Sequence, residues 1–177
     1  MRKAPTDMNE LDFVRAYDVL NESGIDWLPL VPPSMFLVVG LYLLRNRHLL
    51  RSIENRDRYR IFPYVMPTFG ALFLVSLLLA MGYERYRYTT LARDQTCMHV
   101  EGFVTNFVPM PWGGHAEESF RVGNVDFSYS DYEISGAFHQ SESHGGPVHA
   151  NIYVRICFDP GNNKILQLDV RKSHGSQ

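Results

Sequence analysis

Twenty-three consecutive residues without a charge, Ile61 to Tyr83, constrain this chain more than anything else in it. Within that run Phe69–Met81 reads FGALFLVSLLLAM and is almost wholly apolar. At ~1.5 Å per residue a helix of that length reaches about 34 Å, enough to cross a hydrocarbon core of ~30 Å. A soluble protein would have to bury such a helix on every face, and the rest of a 177-residue chain is too small to do so. The run predicts a transmembrane helix over about 61–83.

A second run, Trp27 to Leu44, holds 18 uncharged residues between Asp26 and Arg45. It contains Pro29, Pro32 and Pro33, which a helix interior does not tolerate. The helix is therefore expected to begin near Pro33 or Ser34, or to enter with a kink, and to run to about Arg47. Two spans, about 33–47 and 61–83, form a predicted membrane hairpin. The connecting segment Arg45–Arg60 carries six arginines against Glu54 and Asp57. Short basic loops stay cytoplasmic, which places both termini outside, in the periplasm or its equivalent. Arg85, Arg87 and Arg93, just past the second run, oppose that orientation but are fewer. The region before Trp27 is long and acidic, unlike the short basic start of a cleaved signal peptide. In residues 1–26, Asp7-x-x-Glu10 resembles a capping box, and Leu11, Val14, Ala16 or Tyr17, and Leu20 recur at helical spacing. That pattern predicts a short amphipathic helix packed against the protein's own β domain.

From Cys97 onward the pattern changes to period-two alternation. His99–Val108 is β-branched and aromatic, as in a strand buried on both faces. Glu118–Val122 and Val125–Tyr129 flank Gly123-Asn124, a two-residue hairpin signal. Ile152, Val154, Ile156 and Phe158 alternate, and the turn Asp159–Asn163 leads into Leu166, Leu168 and Val170. Five strands, with a candidate sixth around Ile134–Phe138, predict an all-β domain over 97–172, before a short tail 173–177. Short strands and tight turns point to a small barrel or sandwich of the OB or SH3-like kind.

The strings VEGFVTNF, ESFRVGNVDFSYSDY, SHGGP and VRICFDPGNNKILQLDV, spread from Val100 to Val170, resemble a poorly characterised family of bacterial membrane proteins with one or two helices and a C-terminal β domain. The last string is also similar to the strand–turn–strand ending of DUF3592-type domains. The resemblance covers roughly the last 80 residues. It implies a bacterial envelope protein, with no known reaction and no catalytic residue.

The net charge of −2 argues against a nucleic-acid partner, which usually requires a basic face. Two cysteines are too few for a disulfide framework or a four-cysteine zinc site. Cys97 and Cys157 are a candidate disulfide between neighbouring strands; two separate, merely packed thiols are the alternative. No GxSxG, HExxH or phosphate-cradling loop is present, so no cofactor and no enzymatic activity are expected. The loops Pro109–Glu117 and Asp131–Pro147 mix aromatics, histidines and Gly-Gly pairs, and long loops on a β scaffold are where binding concentrates. Trp112, His115, Tyr132, Phe138 and His144 are the candidate partner-binding residues; covering one open end of the β domain is the plainer use of Trp112 and Phe138.

The leading expectation is a non-enzymatic, membrane-anchored envelope protein that binds a protein partner, in the manner of an immunity protein or accessory subunit. Residues 97–177 carry five Lys/Arg against nine Asp/Glu, which favours a basic partner over anionic lipid or nucleic acid. One alternative is a metal-dependent or hydrolytic site built from His115, Glu118 and His144. Another is a structural subunit whose spans pack into a larger membrane complex through Gly70, Ala71 and Ser76.

Overall fold

The computed structural model describes residues 12–22, 27–46, 61–114 and 116–172. The chain divides into two compact units, one of residues 25–84 and one of residues 1–24 with 85–177.

The first unit is helical. A 3₁₀ turn, Leu28–Leu30, leads into helix α1, Val31–Arg45; the second helix, α2, runs from Phe62 to Arg93, and its residues from Arg85 onward belong to the second unit. Helix α1 begins two residues ahead of Pro33, earlier than the proline run suggests. Pro32 and Pro33 occupy its first turn, where the missing N–H groups have no intrahelical partner to lose. It ends at Arg45, short of Arg47, with the Asn46 backbone and side chain both donating to the Tyr42 carbonyl. The arginine-rich segment from Arg47 to Arg60 lies outside the described residues. Both helices are long and apolar enough to cross a membrane. Met35, Val38, Leu41, Leu72, Val75 and Leu79 are all more than half exposed, on surfaces a soluble core would cover. The helices meet backbone to backbone. A Cβ on Gly40 would fall 2.4 Å from Pro67 Cδ, and one on Gly70 would fall 2.7 Å from the Leu37 nitrogen. Gly40 opposite Pro67 and Leu37 opposite Gly70 is an antiparallel order, and Phe36 meets Phe69 edge-on at the same seam.

The second unit is a six-stranded antiparallel sheet. Its strands are β1 (Phe13–Asp18), β2 (Met98–Val108), β3 (Glu118–Val122), β4 (Val125–Tyr129), β5 (Tyr153–Phe158) and β6 (Ile165–Arg171). They lie in the order β1-β6-β5-β2-β3-β4. The Gly123-Asn124 turn closes the β3–β4 hairpin with Gly123 at φ +58°, as the pair predicts. Strand β2 pairs with β5 through its first half and with β3 through its second. Within the second half its register against β3 shifts between Thr105 and Val108, at a bulge holding Asn106 at φ +50°. Such a bulge bends the strand. The bend shows in the core: Phe127 on β4 and Phe158 on β5 are three strand positions apart, ~14 Å on a flat sheet, yet their rings meet at 5.4 Å.

The sheet stays open and does not close into a barrel. Strands β1 and β4 are its edges, and the Asp126 carbonyl on β4 is taken by the Asn163 side chain. The sixth strand is also not where the sequence suggested. Residues Ile134–Phe138 form no strand; Phe13–Asp18, expected as part of an amphipathic helix, pairs with β6 instead. Asp7 and Glu10 of the capping-box pattern fall outside the described residues. Strand β2 is not buried on both faces: only Val104 is fully covered, because the strand's outer side chains line the open face of the sheet.

Two clusters hold this unit together. The larger gathers Val104, Phe120, Val122, Phe127, Tyr129, Phe138, Val148, Val154, Ile156, Phe158, Ile165 and Leu168. The smaller joins Val19, Tyr88, Ala92, Cys97, Ala137, Cys157 and Leu166, so the last turns of α2 pack onto the sheet. Arg87 in those turns pairs with the buried Asp159 carboxylate at 2.6 Å. Cys97 and Cys157 are disulfide-bonded, with Cα atoms 5.6 Å apart.

Candidate binding cleft

Strand alternation places the first element of the site. Glu118, Phe120 and Val122 share the inner phase of β3, so a carboxylate enters the core fully buried. The β3–β4 register sets Tyr129 opposite it, and the Tyr129 hydroxyl donates to Glu118 Oε1 at 2.6 Å. The other oxygen, Oε2, accepts the backbone N–H of Glu142 at 2.9 Å. Burial, reinforced by the Glu118 carboxylate, pushes the Tyr129 hydroxyl well above its ordinary pKa, so it stays a donor. Glu118 thus anchors the far loop to the sheet.

Asp131, two residues past β4, holds the same loop from the other side. Its Oδ1 accepts the Ser141 N–H at 2.7 Å, and its Oδ2 accepts the Ser141 hydroxyl. His144 Nδ1 lies 2.6 Å from the same Oδ2. Burial pulls the Asp131 carboxyl upward, but the bonds from Ser141 and His144 outweigh it and hold the group below its ordinary value. Gly146 completes the turn: a Cβ there would sit 2.3 Å from the Gln140 carbonyl, so only glycine fits. The Gly-rich loop is therefore latched at two carboxylates.

His144 is oriented by this latch. An ionised carboxylate only accepts, so Nδ1 is the donor, and in the neutral ring Nε2 is left as an acceptor. The Trp112 indole stacks on the imidazole with ring centroids 4.8 Å apart, while 73% of Trp112 remains exposed. Beside them lies a cleft of 540 Å³ lined by Ala16, Tyr17, Glu22, Asp131, Tyr132, Phe138, His139, Gln140 and His144. Tyr17 crosses from β1, donating its hydroxyl to the Gly136 carbonyl at 3.0 Å and packing edge-on against Phe138. Burial and then the Glu22 carboxylate push the Tyr17 hydroxyl up to about 12.

Of the residues singled out from sequence, Trp112, Tyr132 and His144 gather at this end of the sheet. Trp112 and Tyr132 are more than half exposed. Phe138 belongs to the core, packed on Tyr129 and Tyr17, and only its edge reaches the cleft. His115 lies outside the described residues. Glu118 does not join His144 in a metal set, since both its oxygens are committed to Tyr129 and the Glu142 N–H. The Ser143 hydroxyl lies 3.4 Å from His144 Nδ1, the nitrogen that Asp131 also holds. Asp131, Ser141, Tyr17 and Glu22 are contributors that sequence reasoning missed. Among the described residues, the metal-type donors that do converge are Cys97, His99 and Cys157.

No family model matches the chain, and neither a curated protein nor a solved structure matches it.

Proposed function

We propose that the chain is a membrane-anchored envelope protein whose β unit binds a basic protein surface at the Trp112–His144 cleft. The observation that carries the binding reading is a largely exposed indole stacked on an imidazole that two hydrogen-bonded carboxylate anchors keep in place. A preformed aromatic platform of this kind loses little entropy on binding. The acidic side chains around it, Asp131 and Glu22, favour lysine or arginine as the incoming group, and the excess of acids over bases in residues 97–177 works in the same direction.

Membrane anchoring is supported by the exposed apolar faces of α1 and α2 and by the topology of the sheet. Strand β1 precedes the helical unit and β6 follows it, yet they pair, so the chain between them leaves and returns to one side of any membrane it enters. A hairpin meets that requirement. The six arginines of Arg45–Arg60 favour a cytoplasmic turn for the hairpin, and the bonded cysteine pair suits an oxidising compartment for the β unit.

Photo-crosslinking from position 132 in intact cells, followed by purification through a C-terminal tag, tests the reading. A single basic protein captured by the wild type, and weakened at least about tenfold by W112A or H144A, is the expected result. Recovery of the protein alone, or capture indifferent to both substitutions, would sink it.

A further inference from the structure

We propose that Cys97, Cys157 and His99 form a redox-gated Zn²⁺ site, closed while the two sulfurs are bonded and open once they are reduced. The inference rests on donor geometry at a place distant in sequence from the Asp131 latch, and it stands apart from the binding reading above. The three ligand atoms lie within 4.8 Å of one another. His99 Nε2 is 3.7 Å from Cys97 Sγ. With Zn–S ~2.3 Å and Zn–N ~2.0–2.1 Å, two donors on one tetrahedral ion stand ~3.6 Å apart, so this pair is already at chelating distance.

The fold explains why they meet. Strand β2 starts at Met98, so Cys97 lies at its mouth, and the β2–β5 register sets His99 directly across from Cys157. Directly opposed residues point to the same side of a sheet. The sulfurs are buried while His99 is exposed. A cleft of 370 Å³ on this face has His99 and Cys157 in its wall, beside the closed ion pairs Arg15–Asp169 and Arg155–Glu101, and it gives an ion a path to the sulfurs. Two thiolates, one imidazole and one open position suit zinc.

The chemistry balances as follows. A dithiol reductant delivers two electrons and two protons to the bond, becoming a disulfide itself and leaving Cys97 and Cys157 as thiols. Zn²⁺ then displaces both thiol protons and takes the neutral Nε2 lone pair. Reoxidation by a disulfide oxidant of the same class reverses the first step and expels the ion, because a bonded sulfur pair is no thiolate ligand. The site would therefore hold metal only where the β unit meets reducing conditions.

Cobalt titration of the untagged full chain in detergent micelles is the test, since only a thiolate–Co²⁺ bond gives the sulfur charge-transfer band. Protein reduced, then desalted without oxygen, is expected to bind one equivalent of Co²⁺ with that band and to release it to Zn²⁺. The oxidised protein is expected to show none. H99Q, a change at an exposed side chain, should weaken binding at least about tenfold, and a C97S/C157S double variant should abolish the band. Reduced wild type with no band, whether folded or unfolded by reduction, overturns the proposal. A band of undiminished affinity in H99Q overturns it equally.

Discussion

Glu118 occupies a position where β3 permits only an inward side chain, and two donors make a carboxylate tolerable there. Replacing it removes both acceptors at once. E118A leaves the Tyr129 hydroxyl and the Glu142 N–H without partners, each costing ~1–3 kcal/mol when buried, so a loss of about 2–6 kcal/mol is expected. E118Q keeps one acceptor and should fall between. Thermal unfolding followed by near-UV circular dichroism measures both; an unchanged midpoint in E118A would mean the loop is not anchored there. Asp131 makes a pH-dependent statement. Its folded carboxyl lies below the ordinary 3.8, so its contribution is fully present above that pH and is lost as pH falls through the lower folded value. Carboxyl-carbon NMR should therefore give a midpoint below 3.8, moved upward in S141A; a midpoint at or above 3.8 in the wild type would show that the latch does not form. The aromatic and histidine members of the site were legible because their residue types stand out in a loop. Asp131 and Ser141 were not, since a ten-residue separation across irregular chain leaves no periodic trace. Glu118 was readable from its phase with Phe120 and Val122, but its charge suggested a ligand where the strand required a core residue.

Elements differ in how plainly the chain announces them. The charge-free runs mark α1 and α2, and only their ends shift: prolines fit a first helical turn, and α2 continues through charged residues that pack onto the sheet. Strand β1 was hidden by its own irregularity. Its register slips between Arg15 and Tyr17, which breaks period two and leaves Val14 and Tyr17 at a helical interval. Beside the β6 ladder, Tyr17 nevertheless helps hold β1 down, through Phe138 and the Gly136 carbonyl. Y17A should cost about 2–3 kcal/mol, less than a fully buried aromatic, and Y17F only about 1 kcal/mol. Equal losses in the two variants would show that the hydroxyl, and not the ring, secures the strand. The helix seam allows a separate test. Gly40 and Gly70 permit contacts that no side chain could share, so G40L should drive α1 and α2 apart. Cysteines at 36 and 69, where the rings now meet, should crosslink readily in an otherwise wild-type chain and poorly with G40L. Crosslinking that survives the leucine would mean the helices are not held at this seam.

At the scale of the whole molecule, one pairing limits how the chain can lie in a membrane. Val14 opposite Val170 and Arg15 opposite Asp169 join residues that flank the entire helical unit. A sheet formed on one side of a bilayer cannot receive a strand from the other, because its backbone groups would have to leave water unpaired. The helices must therefore cross together or not at all, and a single span with its partner left on the surface is incompatible with β1 in place. Cysteine introduced at Leu20 or Lys172 should react with a membrane-impermeant thiol reagent in spheroplasts, and cysteine at Arg51 should react only after the membrane is opened. Reaction at 20 and 172 alike, with 51 protected, is the hairpin. Reaction at all three sites without permeabilisation would place α1 and α2 outside the bilayer, as a helical unit that covers its apolar faces with another protein. Opposite behaviour of 20 and 172 would separate β1 from β6 and dismantle the sheet on which the cleft depends.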